Sequence, residues 1–271
     1  MKLNISMVLQ QGSRPWRASP AHVVIFPELL DGGYASLRNG EGIHKPGDGF
    51  LERFRMDSYV HKRVVVSGSL AVRGLRDTLT NTSMVYRNGK LLHRYDKIHL
   101  FGPGGDTRYF DAGSGNRVFS FPVGKGRVNA GVIICYDLRF PELTRMLARD
   151  GLHVLFVPAR WPLVRDDAWQ TLLKARAIEN QIFVVGCNAG GKEGGYSYVF
   201  DPLGKSIVNT RENPEIPTLD ATLDLDVIRQ SHALHENLRD AVLLQQTRFP
   251  KKVKPLRLPR RRSSRSMSAA R

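Results

Sequence analysis

From residue 3 to about residue 226, short apolar runs rich in β-branched side chains alternate with stretches whose apolar residues recur at helical spacing. Runs 23–26, 64–70, 132–134, 153–157 and 182–186 are apolar at consecutive positions, so both faces of the strands they predict are buried. Residues 84–86 and 91–95 flank Asn88 and Gly89, a pair that readily takes the left-handed turn of a two-residue hairpin. Two more hairpins fit 118–121 with 128–134, and 196–200 with 206–208, so the predicted sheet is mixed. Helices follow the buried strands. One starts at Pro141, carries Leu143, Met146 and Leu147 on one face and stops at Gly151. A second runs from an Asp166–Asp167 cap through Trp169, Leu172, Leu173 and Ala177, with Lys174 and Arg176 turned away. A third covers residues 50–61, where Phe50 and Phe54 lie four apart. No repeat period appears, and the pattern is that of a layered α/β or α+β domain.

Composition changes this picture only at its edges. The chain has 271 residues, 41% hydrophobic and 24% charged, which excludes disorder throughout. No apolar run approaches the roughly 18 residues of a membrane span. The first residues lack a secretory signal, so the expected compartment is the cytoplasm, where Cys135 and Cys187 stay as free thiols. The formal charge is +16, yet nine cations and no acid fall within residues 250–271. One large domain over 1–249 and a basic, disordered tail over 250–271 follow from that break. The tail either aids solubility or is loosely attracted to nucleic acid or an acidic partner.

Three residues draw chemical interest because each ends a strand pattern. Cys135 closes the run GVIIC and precedes a turn and a helix; a thiol on such an elbow stands out beside unpaired backbone N–H groups. The other reading is a small buried hydrophobe, as Cys187 at the end of IFVVGC suggests for itself. Glu28 follows an apolar strand and a proline in VVIFPELLDGGY. Apolar neighbours disfavour its charge and suit a general base, although a lone glutamate also serves as a cap or surface group. Lys97, in YDKIHLF, either donates to a developing oxyanion or snorkels to solvent.

Taken with their surroundings, these segments resemble the nitrilase superfamily of carbon–nitrogen hydrolases. VVIFPELLDGGY, YDKIHLF, GVIICYDLRFPEL, LLKARAIENQIFVVGCNAGG and YVFDPLG occur in the family's order, over roughly residues 3–240. CYDLRFPEL and ARAIENQ look most like the amidase branches, including the ω-amidases. The resemblance implies a four-layer α-β-β-α sandwich that pairs with a second copy through its helices. It also implies that Cys135 attacks an amide carbonyl while Glu28 moves the proton. Lys97 and the backbone N–H of Tyr136 hold the oxyanion, and neither metal nor organic cofactor takes part. Where many members carry a second glutamate, this chain offers Asp106, which either orients Lys97 with a shorter reach or leaves that role unfilled. The family's long first helix is replaced by residues 11–21, which contain two prolines. Either the first strand pairs differently or a deletion exposes one sheet face.

Tyr34, Arg139 and Trp161 follow strand ends or motifs that would surround the thiol. Arg139 either grips a substrate carboxylate, favouring a dicarboxylic acid monoamide, or pairs with Asp137, Glu142 or a second subunit. His93, His99 and His153 lie in strand patterns and read as structural. No metal-ligand spacing stands out. Nitrile or N-carbamoyl hydrolysis by the same three residues is the competing chemistry. A motif-bearing binding protein, impaired by the shortened N-terminal region and using its basic tail, is the competing non-enzymatic reading.

Overall fold

The buried runs fold into two mixed sheets packed face to face. The computed structural model describes residues 1–9, 19–74, 77–191 and 194–241. In chain order its elements are β1 (Lys2–Val8), β2 (Val23–Ile25), α1 (Gly33–Arg38), β3 (Ile43–His44), α2 (Gly49–Val60), β4 (Val64–Val66), β5 (Leu70–Arg73), β6 (Leu79–Arg87) and β7 (Lys90–Asp96). There follow α3 (Asp106–Tyr109), β8 (Phe119–Val123), β9 (Gly126–Val132), α4 (Pro141–Arg149), β10 (Val154–Ala159), α5 (Asp166–Asn180), β11 (Phe183–Asn188), β12 (Tyr198–Phe200), β13 (Ser206–Asn209), β14 (Thr218–Asp224), α6 (Asp226–Leu234) and α7 (Asn237–Asp240).

The first sheet has the order β14-β1-β2-β4-β6-β5-β3, with β7 also paired to β6, and the second has β13-β12-β11-β10-β9-β8. β1, β2 and β4 are parallel, as are β9, β10 and β11. Strand alternation then sorts the side chains. Ile5, Met7, Val23, Ile25, Val64 and Val66 share one core with Phe119, Phe121, Ala130 and Val132 of the other sheet. The opposite face of the first sheet presents Val24, Phe26, Val65 and Met84 to Leu51 and Phe54 of α2. That helix is capped by Asp48, whose Oδ1 accepts from the N–H groups of Phe50 at 3.1 Å and Leu51 at 2.9 Å. On the outer face of the second sheet, α5 comes so close that a Cβ on Gly186 would lie 2.5 Å from Leu173 and 2.8 Å from Trp169. Helices outside and two sheets inside give the α-β-β-α sandwich.

All three expected hairpins form, the first with Arg87 opposite Lys90 across Asn88 and Gly89 at φ values of 50° and 73°. The run 64–70 was expected as one strand and is two. Gly68 breaks it at φ 69°, where a Cβ would meet the Pro27 carbonyl oxygen at 2.0 Å. Residues 166 and 167 do not cap α5: the Asp166 carboxylate instead accepts from the Tyr198 hydroxyl at 2.7 Å. Arg176 is not turned away. It is buried and donates to the Leu138 carbonyl through Nη2 at 2.8 Å and Nε at 3.2 Å.

The first strand pairs in the ordinary parallel way with β2, Ile5 opposite Val23 and Met7 opposite Ile25, and antiparallel with β14. Its connection to β2 and the basic tail lie mainly outside the described residues. The outward positions at this end are polar: Asn4 and Ser6 stand opposite Thr222 and Asp220, with a 3.1 Å hydrogen bond from the Thr222 hydroxyl to Asn4 Oδ1. Of the described residues, no helix is long and apolar enough to cross a membrane.

Candidate active site

Chain direction brings the interesting residues to one rim, because Glu28, Lys97, Cys135 and Arg160 all follow the carboxyl ends of β2, β7, β9 and β10. The loop after β2 is clasped by the break at Gly68. Ser69 donates from its N–H to the Pro27 carbonyl at 3.2 Å, and its hydroxyl accepts from the Leu29 N–H at 3.2 Å. Glu28 is thereby held fully buried. Its Oε1 accepts from Lys97 Nζ at 2.7 Å and Asn81 Nδ2 at 2.9 Å, and its Oε2 from the Arg160 N–H at 3.0 Å.

Lys97, also fully buried, donates onward to Asp106 Oδ2 at 2.8 Å. Burial opposes its charge, but Glu28, Cys135 and Asp106 outweigh it and hold the ammonium above the ordinary lysine range. Asp106 therefore reaches Lys97 despite its shorter side chain, because α3 brings it in; the Phe101 N–H adds a bond at 2.9 Å. Tyr34 lies near the same cluster. Its hydroxyl donates to Asp106 Oδ1 at 2.6 Å, and burial first, then Glu28 and Asp106, push its pKa up.

Cys135 sits on a strained elbow with φ 47°, a left-handed conformation that an ordinary side chain takes only when its surroundings enforce it. Asp137 supplies much of that enforcement. Its Oδ2 accepts from the Ile134 N–H at 3.0 Å and the Tyr95 hydroxyl at 2.7 Å, while Oδ1 accepts from the His99 N–H at 2.9 Å. The chain then winds through a 3-10 turn, Cys135–Arg139, in which the Asp137 N–H bonds back to the Ile134 carbonyl at 3.0 Å. The opening N–H groups of such a turn, that of Tyr136 among them, have no partner within it. Burial raises the Cys135 pKa well above the thiol range, and the facing Glu28 carboxylate adds to it; Lys97 and the Arg160 N–H pull the other way. Cys135 is thereby held as a thiol facing the Glu28 side chain.

A narrow cleft leads to the thiol, walled by Phe101, Tyr136, Arg139, Arg160, Trp161 and Arg165. Arg139 is not paired with Asp137, which is taken up by the elbow. It lies over the Trp161 ring, 4.8 Å from its centroid, and Arg165 lies 5.7 Å over Phe101. Asn81 and Arg160 were not foreseen. Asn81 is hidden in a polar stretch of β6 that reads as a solvent face, whereas Arg160 ends a buried strand as Glu28 does, a signal that was present. His99 stacks on Phe140 at 3.7 Å, and His153 Nδ1 accepts from the Asn129 N–H at 3.1 Å. Among the described residues no three His, Cys, Asp or Glu side chains gather as a metal ion would need.

The chain is similar to known proteins over most of its length. A protein called "Hydrolase in agr operon" from Staphylococcus lugdunensis is 37% identical over 220 residues, covering 77% of this chain and 89% of the relative. The 2-oxoglutaramate amidase of Bacillus subtilis (strain 168) is 32% identical over 225 residues, covering 81% and 85%. The crystal structure of Saccharomyces cerevisiae Nit3, a member of branch 10 of the nitrilase superfamily, superposes with a TM-score of 0.73 at 25% identity, covering 86% of this chain and 94% of that one. The family model for carbon-nitrogen hydrolase matches residues 4–233, and the chain belongs to that family, as a hydrolase of the nitrilase superfamily.

Proposed function

We propose that the chain hydrolyses the amide of a small dicarboxylic acid monoamide to the acid and ammonia through a Cys135 thioester. The observation that carries the reading is the buried contact of Glu28 with Lys97 at 2.7 Å beside the Cys135 thiol. Glu28 accepts the thiol proton as sulfur attacks the amide carbon, and the carbonyl electron pair moves onto oxygen. Lys97 and the Tyr136 N–H hold that oxyanion in a water-poor site, where preorganised donors act most strongly. As the pair returns, the carbon–nitrogen bond breaks and Glu28 gives its proton to the departing ammonia. Water, deprotonated by Glu28, then attacks the thioester, and the acid leaves as the proton returns to sulfur. Lys97 keeps its own proton throughout, because its carboxylate neighbours favour the ammonium. Asp106 orients it, and Tyr34 orients Asp106. Asn81 and the Arg160 N–H fix the Glu28 carboxylate.

The substrate class is supported by the cleft. Arg139 and Arg165 stand at its mouth with planar, multiply donating groups that suit a distant carboxylate. The name of the Bacillus subtilis relative points to the same chemistry. Exposed Met146 and Ile178 on α4 and α5 support a homodimer formed through these helices. The two free thiols support a cytoplasmic setting. Ammonia release from a panel of monoamides, nitriles and ureido acids tests the reading. Monoamides should be the substrates, and Cys135→Ala should lower the rate by about a thousandfold or more. Full activity in that variant, or turnover of nitriles or ureido acids alone, overturns it.

A further inference from the structure

The opposite rim of the sandwich carries a groove that amide chemistry leaves unused. Lys2, His22, Lys125, His153, Asp226 and Arg229 line it, over an apolar floor that includes Leu225 and Ile228. His22 and His153 hold equivalent places in the two sheets, each immediately before a parallel inner strand. His22 donates its N–H to the Asn4 carbonyl at 2.9 Å, and its Nδ1 accepts from the Asn4 N–H at 3.0 Å. His153 repeats both bonds with Asn129, at 2.9 Å and 3.1 Å.

This duplication fixes the chemistry of both rings. A ring nitrogen that accepts an N–H carries no proton, so the neutral imidazole bears its proton on Nε2. Each ring edge at the groove is then a hydrogen-bond donor, which serves an anion and cannot ligate a metal through that atom. Burial, with nearby His232, favours neutral His153 further. Arg229 is engaged by Asp226 at 2.6 Å, whereas Lys2 and Lys125 have no ion pair among the described residues. Two free ammonium groups and two N–H donors, brought from both sheets, match a tetrahedral dianion better than the flat, two-oxygen edge of a carboxylate. The same strands carry Glu28 and Arg160 beyond their far ends, roughly 20 Å away.

We propose that this groove binds a small phosphate monoester. Its phosphate takes the Nε2–H groups of His22 and His153 between Lys2 and Lys125, and its organic part rests on Leu225 and Ile228. The site stands independently of the amide reading.

Thermal unfolding in inorganic phosphate and in glycerol 3-phosphate, at ionic strength held constant with chloride, tests it. A saturable Tm rise of about 3–5 °C at ten times the half-saturating concentration is expected, larger for the monoester. Lys125→Gln lies on a two-residue surface turn. His22→Asn with His153→Asn keeps an acceptor for the backbone N–H and removes the Nε2 donor. Both variants should lose the rise while keeping the Tm measured without phosphate, and Arg139→Gln should retain it. An equal rise in chloride alone, a rise unaffected by the groove variants, or one abolished only by Arg139→Gln would overturn the site. The last of these would place phosphate in the cleft beside Cys135.

Discussion

Lys97 shares a fully buried site with two carboxylates, at 2.7 Å from Glu28 and 2.8 Å from Asp106. Removing one member of such a cluster costs more than the cluster contributes, because a buried charge is left without its counterion. Lys97→Met is therefore expected to destabilise the fold by about 3–5 kcal/mol in urea unfolding, besides abolishing ammonia release. A loss below 1 kcal/mol would mean that water or a proton reaches the carboxylates readily. His93 shows the reverse case, a buried ring that stays neutral. Burial, with Arg117 adding to it, pushes its pKa down to about 4. The unfolded chain takes up a proton near pH 6.5, before the folded one does, so stability present above that pH is lost as the pH falls toward 4. Unfolding free energies measured across this window should fall by about 3 kcal/mol more in the natural chain than in His93→Phe. The phenyl ring can keep the stacking on Phe119, 5.0 Å away.

Among the elements, the conformation of Cys135 is set by its neighbours rather than by its own sequence. The turn Cys135–Arg139 is anchored at its start by Asp137 and at its end by Arg176 of α5, which grips the Leu138 carbonyl. Arg176→Met keeps most of the buried volume but removes this charged donor. It should cost about 2 kcal/mol of stability and lower kcat more than KM, because the thiol is displaced relative to Glu28. An unchanged kcat would show that Asp137 alone holds the elbow. Helical periodicity placed α5 correctly yet sent Arg176 to solvent, since spacing assigns charged residues to the open face and cannot see an orphan carbonyl arriving from another segment.

For the whole molecule, the two sheets and their flanking helices form around the core within residues 1–241, and the chain's charge excess is concentrated beyond it. A chain ending at residue 249 should retain full ammonia release and thermal stability. Any affinity of the full chain for nucleic acid should vanish with the tail and fall steeply with salt. Loss of hydrolysis on truncation would instead tie the tail to the catalytic domain.

Strand runs, hairpin turns and the positions of Glu28, Lys97 and Cys135 were legible in the sequence. Each rests on a local rule: alternation, the left-handed preference of Asn-Gly, and a polar residue closing an apolar run. The resemblance to the nitrilase superfamily drew on the same local segments. What needed the tertiary structure was everything set by contacts between distant segments. Asn81 and Arg160 fix Glu28 from strands 53 and 132 residues away. Tyr34 bonds to Asp106, Arg176 turned inward to Leu138, and the Gly68 break divided one apolar run into two strands. Burial and hydrogen-bond partners depend on where separate strands and helices meet, and no spacing along the chain encodes that meeting directly.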